Sequence, residues 1–163
     1  MMAGRGSENN QLSFRWALAE DFDAVFGLAS QLAAHIEASV PPLTVEGFQT
    51  CYIGSRSPMR LLLALSGSRV LGMISWTLTH ELYSGDTRVY ISDLSVDSAA
   101  RGRGVGTALM AQAKAWARAH GAGKLGWEIW HQNHTAKAFY EGLGAKIDEE
   151  AVPYVLTLKD DEL

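Results

Sequence analysis

The sequence has little of what an extracellular or membrane protein needs. Its single cysteine, Cys51, cannot form an internal disulfide and suits a reducing compartment. The longest apolar run, residues 61–65, has the length of a buried strand and is too short to cross a bilayer. Residues 1–11 lack the apolar stretch of a secretory signal, so we expect a disordered tail there. These absences predict a cytoplasmic protein that acts away from membranes.

Basic runs and metal-ligand clusters are also missing. No group of lysines and arginines is long enough to follow a phosphate backbone, and the formal net charge is −4, so nucleic acid is not expected as a partner. The five histidines have no metal-ligand spacing, and no metal is expected. The last four residues, 160–163, resemble an ER-retrieval signal. Because residues 1–11 do not resemble a signal peptide, we interpret that resemblance as accidental.

The apolar residues that are present follow strand and helix periods. The chain of 163 residues is 47% hydrophobic and 20% charged, which suits one globular domain, placed at residues 12–159. Strands are predicted at residues 14–18, 61–65, 70–78, 88–96, 125–130 and 152–158, and helices at residues 20–36, 44–53, 105–120 and 133–143. A short strand near 145–147 is an additional option. The order β-α-α-β-β-β-α-β-α-β predicts an α/β (α+β) fold, with helices covering both faces of a mixed sheet.

A glycine-rich turn, Arg101-Gly102-Arg103-Gly104-Val105-Gly106, lies between a predicted strand and a predicted helix. Glycines allow positive φ and a close ligand approach, and the first N–H groups of a helix attract anions. The turn therefore predicts a diphosphate site, with an ordinary tight turn as the alternative. It lacks the lysine of a Walker motif, and the strands before it form a meander rather than the βαβ unit of a dinucleotide site.

Two motifs in sequence order resemble a known superfamily. Arg101-x-x-Gly104-x-Gly106 after Asp93-Leu94-Ser95-Val96 resembles the acetyl-CoA signature of the GNAT superfamily of N-acetyltransferases. Asn133-x-x-Ala136-x-x-Phe139-Tyr140-x-x-x-Gly144-Ala145 resembles that superfamily's second motif. The resemblance implies a GNAT-like fold and acetyl-CoA as co-substrate. Within the superfamily, the sequence is most similar to the ribosomal-protein N-terminal acetyltransferases and the diamine (spermidine/spermine) acetyltransferases.

The resemblance also implies a set of cofactor-binding residues. In that fold the strand at 93–96 separates from the next strand and pairs with the pantetheine arm, with a backbone N–H near Leu94 as the oxyanion donor. The residues matched to the cofactor site are Leu94, Ser95, Val96, Arg101, Gly102, Arg103, Gly104, Val105, Gly106, Thr107, Asn133, Ala136 and Tyr140.

Three side chains are candidates for catalysis. A tyrosine hydroxyl is protonated at neutral pH and can donate to a departing thiolate, so Tyr140 is the candidate acid. Glu128 is the first candidate base, because its position resembles that of the base in the ribosomal-protein enzymes, and Trp127 and Trp130 beside it are expected to desolvate it. Asp93 is the second candidate. Where the diamine enzymes have a glutamate base, this sequence has Ser92, which leaves Asp93 as a base or as an ammonium contact.

The acceptor is expected to be a primary amine of a small molecule, polyamine-like or other. Two loops that line the acceptor site in this fold, near residues 38–43 and 80–86, have the acids Glu37, Glu81 and Asp86 in or beside them. A protein N-terminal or peptide acetyltransferase is one alternative, and a non-catalytic acyl-CoA sensor is another. Members of the superfamily often pair through C-terminal strands, so a homodimer is expected.

Overall fold

The computed structural model describes residues 11–158. Most of the predicted tail and the final four residues lie outside that range. Along the chain the elements are β1 (Ser13–Trp16), α1 (Phe22–His35), α2 (Val45–Tyr52), β2 (Arg60–Ser66), β3 (Arg69–His80), β4 (Thr87–Val96), α3 (Val105–Ala119), β5 (Lys124–Gly126) and α4 (His134–Gly142). Among the described residues, no helix is both long enough and apolar enough to span a bilayer.

The chain divides into two compact units, one up to Trp130 and one from His131 onwards. The first unit contains a five-stranded sheet in the order β1-β2-β3-β4-β5, together with α1, α2 and α3. Strands β1 to β4 are antiparallel neighbours, and β5 is parallel to β4. This mixed sheet confirms the predicted α/β (α+β) class. The second unit contains α4 and the segment that follows it.

Helices pack on both faces of the sheet in the first unit. On one face, the buried apolar cluster of α1, α2 and the sheet consists of Ala17, Val25, Leu28, Phe48, Leu61, Leu63, Leu65 and Met73. The Ser95 hydroxyl of β4 donates to the Leu28 carbonyl of α1 at 2.9 Å and ties this helix to the sheet. On the other face, α3 packs on β3 near Gly72. Burying the valine, leucine, phenylalanine and methionine side chains of the cluster contributes roughly 2 kcal/mol each.

An ion pair fixes the start of α1. Both nitrogens of the Arg15 fork donate to the Asp21 carboxylate, at 2.6 and 2.8 Å, and the Leu18 N–H donates to it at 2.7 Å. These bonds satisfy a buried carboxylate, and the hydrogen bonds from Arg15 lower the pKa of Asp21. Strand β1 and the N-cap of α1 are thereby joined.

Helix ends follow the sequence signals. The Thr44 hydroxyl, at the predicted start of this helix, caps α2 by accepting from the Gly47 N–H at 3.0 Å. Gly121 ends α3 with φ +74, and the Ala122 N–H donates to the Ala117 carbonyl at 2.9 Å. A glycine in the left-handed conformation, followed by a 6→1 backbone hydrogen bond, is the Schellman motif that commonly ends helices.

Three predicted strand features were wrong. Strand β5 ends at Gly126, so residues 127–130 are not part of it. Residues 145–147 and 152–158 form no strand in the described structure. Alternating apolar residues give a strand only where a neighbour offers a hydrogen-bond partner, and Pro153 lacks the N–H that a ladder needs. The element order therefore ends at α4 within the described residues.

Candidate active site

The glycine turn between β4 and α3 has the backbone of an anion site. Gly102 and Gly104 have φ +71 and +79, which residues with a Cβ rarely adopt. Gly104 is the N-cap of α3, and the first helical bond runs from the Ala108 N–H to the Gly104 carbonyl at 2.9 Å. The N–H groups of residues 105–107 thus precede the ladder at the positive end of the helix dipole.

Close packing positions this turn against the sheet. A Cβ built on Gly72 of β3 would lie 2.9 Å from the Ser95 carbonyl oxygen and 3.2 Å from side-chain carbons of Leu109 and Val105. Only glycine therefore allows α3 to approach β3 this closely. The Arg101 Nε donates to the Val96 carbonyl at 3.1 Å, which joins the turn to the end of β4. Arg101 and Arg103 are both exposed.

Strand β4, which precedes this turn, contains a bulge. In the β3–β4 ladder Ser75 pairs with Asp93, but Trp76 pairs with Ile91, so Ser92 is an extra residue. Asp93 and Tyr90 are three residues apart, and regular alternation would place their side chains on opposite faces. Because of the bulge, both lie on the face that α1 covers.

Strands β4 and β5 separate just before the bulge. Their ladder ends at the pair Tyr90–Gly126, whereas β4 continues to Val96. In the described part of the chain, residues 91–96 therefore have a strand partner on one side only. The end of this ladder agrees with the separation that the family resemblance implies, and Leu94, Ser95 and Val96 lie along this open edge.

A pocket of about 320 Å³ opens on the α1 face of the sheet. Its lining comes from α1, the loop after it, α2, β2, β3 and β4, and includes Asp93, Ser75 and Tyr52. The Ser75 hydroxyl donates to the Asp93 carboxylate at 2.7 Å. Burial raises the pKa of the Tyr52 hydroxyl, and the negative charge of Asp93 raises it further. Asp93, Ser75 and Tyr52 therefore form a polar part of the pocket lining.

Glu128 lies in the irregular segment after β5. It is exposed, so the expectation that Trp127 and Trp130 bury it was wrong. Burial, the charge of Glu128 and hydrogen bonding to that carboxylate together raise the pKa of Tyr90. Glu128 thus stands beside Tyr90, whose side chain is on the same face of the sheet as Asp93.

The remaining motif residues lie in the second unit. The Asn133 side chain, at the predicted start of this helix, caps α4 by accepting from the Ala136 N–H at 3.0 Å. Tyr140 lies near the end of α4, with its ring 5.0 Å from that of Phe139 in an edge-on arrangement. Burial raises the pKa of Tyr140 to about 12. Its hydroxyl therefore stays protonated well above neutral pH.

Two pocket residues, Ser75 and Tyr52, were not among the predicted site residues. Their signal in the sequence is weak, because a serine in a strand and a tyrosine at a helix end are both common. The adjacent polar residues Ser92 and Asp93 interrupt the alternation of β4 and are a usable sign of the bulge. By contrast, the loop acids Glu37, Glu81 and Asp86 are not among the described residues that line this pocket.

Known proteins share this architecture. An aminoglycoside acetyltransferase from an uncultured soil metagenomic sample, solved with sisomicin, is 20% identical with a TM-score of 0.73, covering 91% of this chain and 97% of that one. A transcriptional regulator from Bacillus halodurans is 26% identical with a TM-score of 0.76, covering 90% and 100%. A probable acetyltransferase is 23% identical with a TM-score of 0.77, covering 91% and 99%. At 20 and 23% identity, the two acetyltransferase likenesses concern the fold alone.

The sequence itself decides the family. No curated protein matches the chain. Residues 30–145, well over half of the chain, match the acetyltransferase (GNAT) family, whose co-substrate is acetyl-CoA. With the glycine turn, the open edge of β4 and the motif on α4, this match shows that the chain belongs to the GNAT acetyltransferase family and is an N-acetyltransferase.

Proposed function

We propose that the protein transfers the acetyl group of acetyl-CoA to the primary amine of a small molecule, by direct attack. The observation that supports this best is the bulge at Ser92. It turns the Asp93 carboxylate into the 320 Å³ pocket, directly beside the open edge of β4. An amine held at Asp93 is then next to the strand expected to hold the thioester.

The residues around the glycine turn fit acetyl-CoA. The N–H groups at the start of α3 suit a diphosphate, and Arg101 and Arg103 add positive charge. Leu94 and Val96 lie on the open edge, which suits the amide groups of a pantetheine arm, and an N–H near Leu94 is the proposed oxyanion donor. Residues 102–107 contribute the rest of the diphosphate site in this proposal, with Asn133, Ala136 and Tyr140 as further cofactor contacts.

Acetyl-CoA supplies the acetyl group as a thioester. The ammonium first loses one proton to a base, and the amine nitrogen then bonds to the acetyl carbon. The carbon–sulfur bond breaks, the nitrogen loses its second proton, and the departing thiolate takes up one proton. An alkylammonium with a pKa of about 10.4 must lose a proton before it attacks. Asp93 holds the ammonium and accepts that proton, directly or through water. Ser75 keeps the carboxylate in place through its 2.7 Å hydrogen bond.

Glu128 and Tyr140 have the other two roles. Glu128 is the alternative base, at the exposed side of the same sheet face. Tyr140 is the acid that returns a proton to the thiolate. Burial raises its pKa to about 12, so its hydroxyl is protonated at neutral pH and has a proton to donate.

The pocket also supports a small acceptor. A volume of about 320 Å³ is at the lower end of the range for small-molecule sites, so it accommodates a small amine more readily than a long peptide. The predicted cytoplasmic location and the predicted homodimer stay predictions from the sequence. So does the single domain at residues 12–159.

Release of coenzyme A thiol, measured together with acetyl-CoA binding, tests the proposal. The panel contains alkylamines, polyamines, sisomicin and peptides with unblocked N-termini. Thiol release with a small amine, and little with the peptides, is the expected result. Tight binding of acetyl-CoA, with no release of its thiol in the presence of any amine, would contradict the enzymatic proposal and favour an acyl-CoA sensor. Preference for the peptides would favour the N-terminal acetyltransferase.

A further inference from the structure

The pocket that Asp93 lines is mainly apolar. Most of its lining is hydrocarbon from α1, the loop after it and the sheet. The main apolar side chains are Val25, Ala29, Leu32, Leu43, Leu61 and Met73. Such a lining favours an apolar ligand, because each methylene moved there from water gains about 0.8 kcal/mol, or roughly fourfold in an equilibrium constant.

The charge of the pocket is concentrated at one point. Asp93 is the single carboxylate among the described residues that line it. Ser75 donates to Asp93 at 2.7 Å, and Tyr52, whose pKa is raised by burial and by the Asp93 charge, lines the same pocket. One ammonium therefore has a partner at this point, and the apolar lining holds no counter-ion for a second.

The acids expected to attract a polycation have other partners or positions. Glu81 pairs with Arg88 at 2.9 Å, and Asp86 lies 4.0 Å from Lys124. Glu37 is exposed and follows the end of α1. None of the three is part of the pocket lining as described. A second ammonium inside the pocket would be unpaired in an apolar environment, which is strongly unfavourable.

We infer that the acceptor is a monoamine with an alkyl or aryl body, whose ammonium binds Asp93 and whose body fills the apolar pocket between α1 and the sheet. This inference rests on the proposed function and narrows it. It excludes the polyamine-like acceptor that the sequence allowed. It also predicts an acceptor unlike the sisomicin bound by the structurally similar aminoglycoside acetyltransferase.

A ladder of amines tests the inference on the wild-type chain. Thiol release is measured with ethylamine, butylamine and hexylamine, and then with hexamethylenediamine, spermidine and sisomicin. We expect kcat/KM to rise about fourfold per added methylene until the pocket is full. Hexamethylenediamine has the carbon chain of hexylamine with a second ammonium, and we expect its kcat/KM to be about a hundredfold lower.

A pair of variants locates the effect in the pocket. Ala29→Leu adds bulk to the lining, whereas Ala34→Leu adds the same bulk at an exposed position of the same helix. We expect Ala29→Leu to reduce the preference for hexylamine over ethylamine by about tenfold, and Ala34→Leu to leave it unchanged. Turnover of ethylamine by Ala29→Leu reports that this variant is folded.

The outcomes separate the inference from the proposed function. An increase in kcat/KM from ethylamine to hexylamine, together with a low kcat/KM for hexamethylenediamine, supports both the inference and the proposed function. Faster turnover of hexamethylenediamine, spermidine or sisomicin than of hexylamine overturns the inference and leaves the small-molecule acetyltransferase standing. If no amine releases thiol although acetyl-CoA binds, the proposed function itself fails, and the inference with it.

Discussion

The glycine turn at the start of α3 and the pocket at Asp93 are neighbouring sites built in different ways. The turn presents backbone N–H groups, fixed by glycines at positive φ and by one helix end. The pocket presents side chains from α1, α2, β2, β3 and β4, brought together by packing and by one bulge. The first suits a ligand part that never changes, such as a diphosphate. The second can differ between relatives without disturbing the first.

This difference makes the two sites separable by mutation. Changes at the turn should alter affinity for acetyl-CoA and leave amine selection intact. Changes at the pocket should do the reverse. The following variants are ordered by the size of the expected effect, and each can break or sharpen the separation.

Asp93→Asn should give the largest effect. The substitution keeps the shape and a Ser75 hydrogen bond but removes the charge that binds ammonium and accepts its proton. We expect kcat/KM for the amine to fall by about 10² to 10³, with acetyl-CoA affinity unchanged. Steady-state kinetics and calorimetry measure the two quantities. Glu128→Gln is the comparison, with an expected loss below about tenfold. A larger loss for Glu128→Gln than for Asp93→Asn would make Glu128 the base.

Tyr140→Phe asks whether the second unit takes part in chemistry. We expect turnover to fall by roughly 10², at the low end for a general acid, because a thiolate departs readily without protonation. Acetyl-CoA affinity should change little. Burial raises the pKa of Tyr140 to about 12, so the acid stays protonated, and activity should not fall on its account until the pH approaches that value. In an absorbance titration, the tyrosinate signal missing from the variant should appear near pH 12. Unchanged turnover would remove Tyr140 from the mechanism.

Gly72→Ala tests the packing that positions the turn. The new Cβ would lie 2.9 Å from the Ser95 carbonyl oxygen, which is backbone and cannot rotate away. We expect the free energy of unfolding to fall by about 1–3 kcal/mol in chemical denaturation. Gly27→Ala in α1 is the control, because a Cβ there has no neighbour within 4 Å. It should raise the free energy of unfolding by about 0.5–1 kcal/mol. Equal stability of the two variants would contradict the close approach of α3.

Gly104→Ala should have the smallest effect and act on the turn alone. A residue with a Cβ at φ +79 costs about 1–2 kcal/mol, so the free turn of the variant should relax to another conformation. Restoring the binding conformation should then make acetyl-CoA bind about tenfold more weakly. The KM for the amine should stay the same. Gly67→Ala introduces the same kind of strain at φ +58 in the turn between β2 and β3, and should lower stability without changing affinity. An equal loss of affinity in both variants would mean that strain weakens the whole fold rather than this site.

The two sites also differ in how far the sequence predicts them. The turn, the Thr44 cap and the Gly121 stop depend on residues adjacent in the chain, and each was predictable from local rules. The sheet face on which the Asp93 side chain lies depends on one extra residue in β4. The pairing of Asp93 with Ser75 depends on the register of the long hairpin of β3 and β4. Alternation alone cannot set either. Tyr52 lines the pocket because of the way α2 packs, and no sequence pattern around Tyr52 indicates this position.

The strand errors have the same origin. Residues 125–130 and 152–158 have apolar residues at strand spacing, but a strand also needs a partner in register. Strand β4 offers one to β5 only as far as Tyr90. The separation that makes β5 shorter than predicted is the same one that opens the edge of β4. A failure of strand prediction here therefore coincides with the proposed thioester site.

The most direct test of the account is the stoichiometry of transfer to a single apolar amine. Acetyl-CoA and hexylamine are incubated with the wild-type chain and with Asp93→Asn, and the thiol and N-acetylhexylamine formed are both measured. The account predicts one acetylated amine for each thiol released by the wild-type chain, and formation of both at least about a hundredfold slower in the variant. Thiol release without acetylated amine, or equal rates in the two proteins, would contradict it.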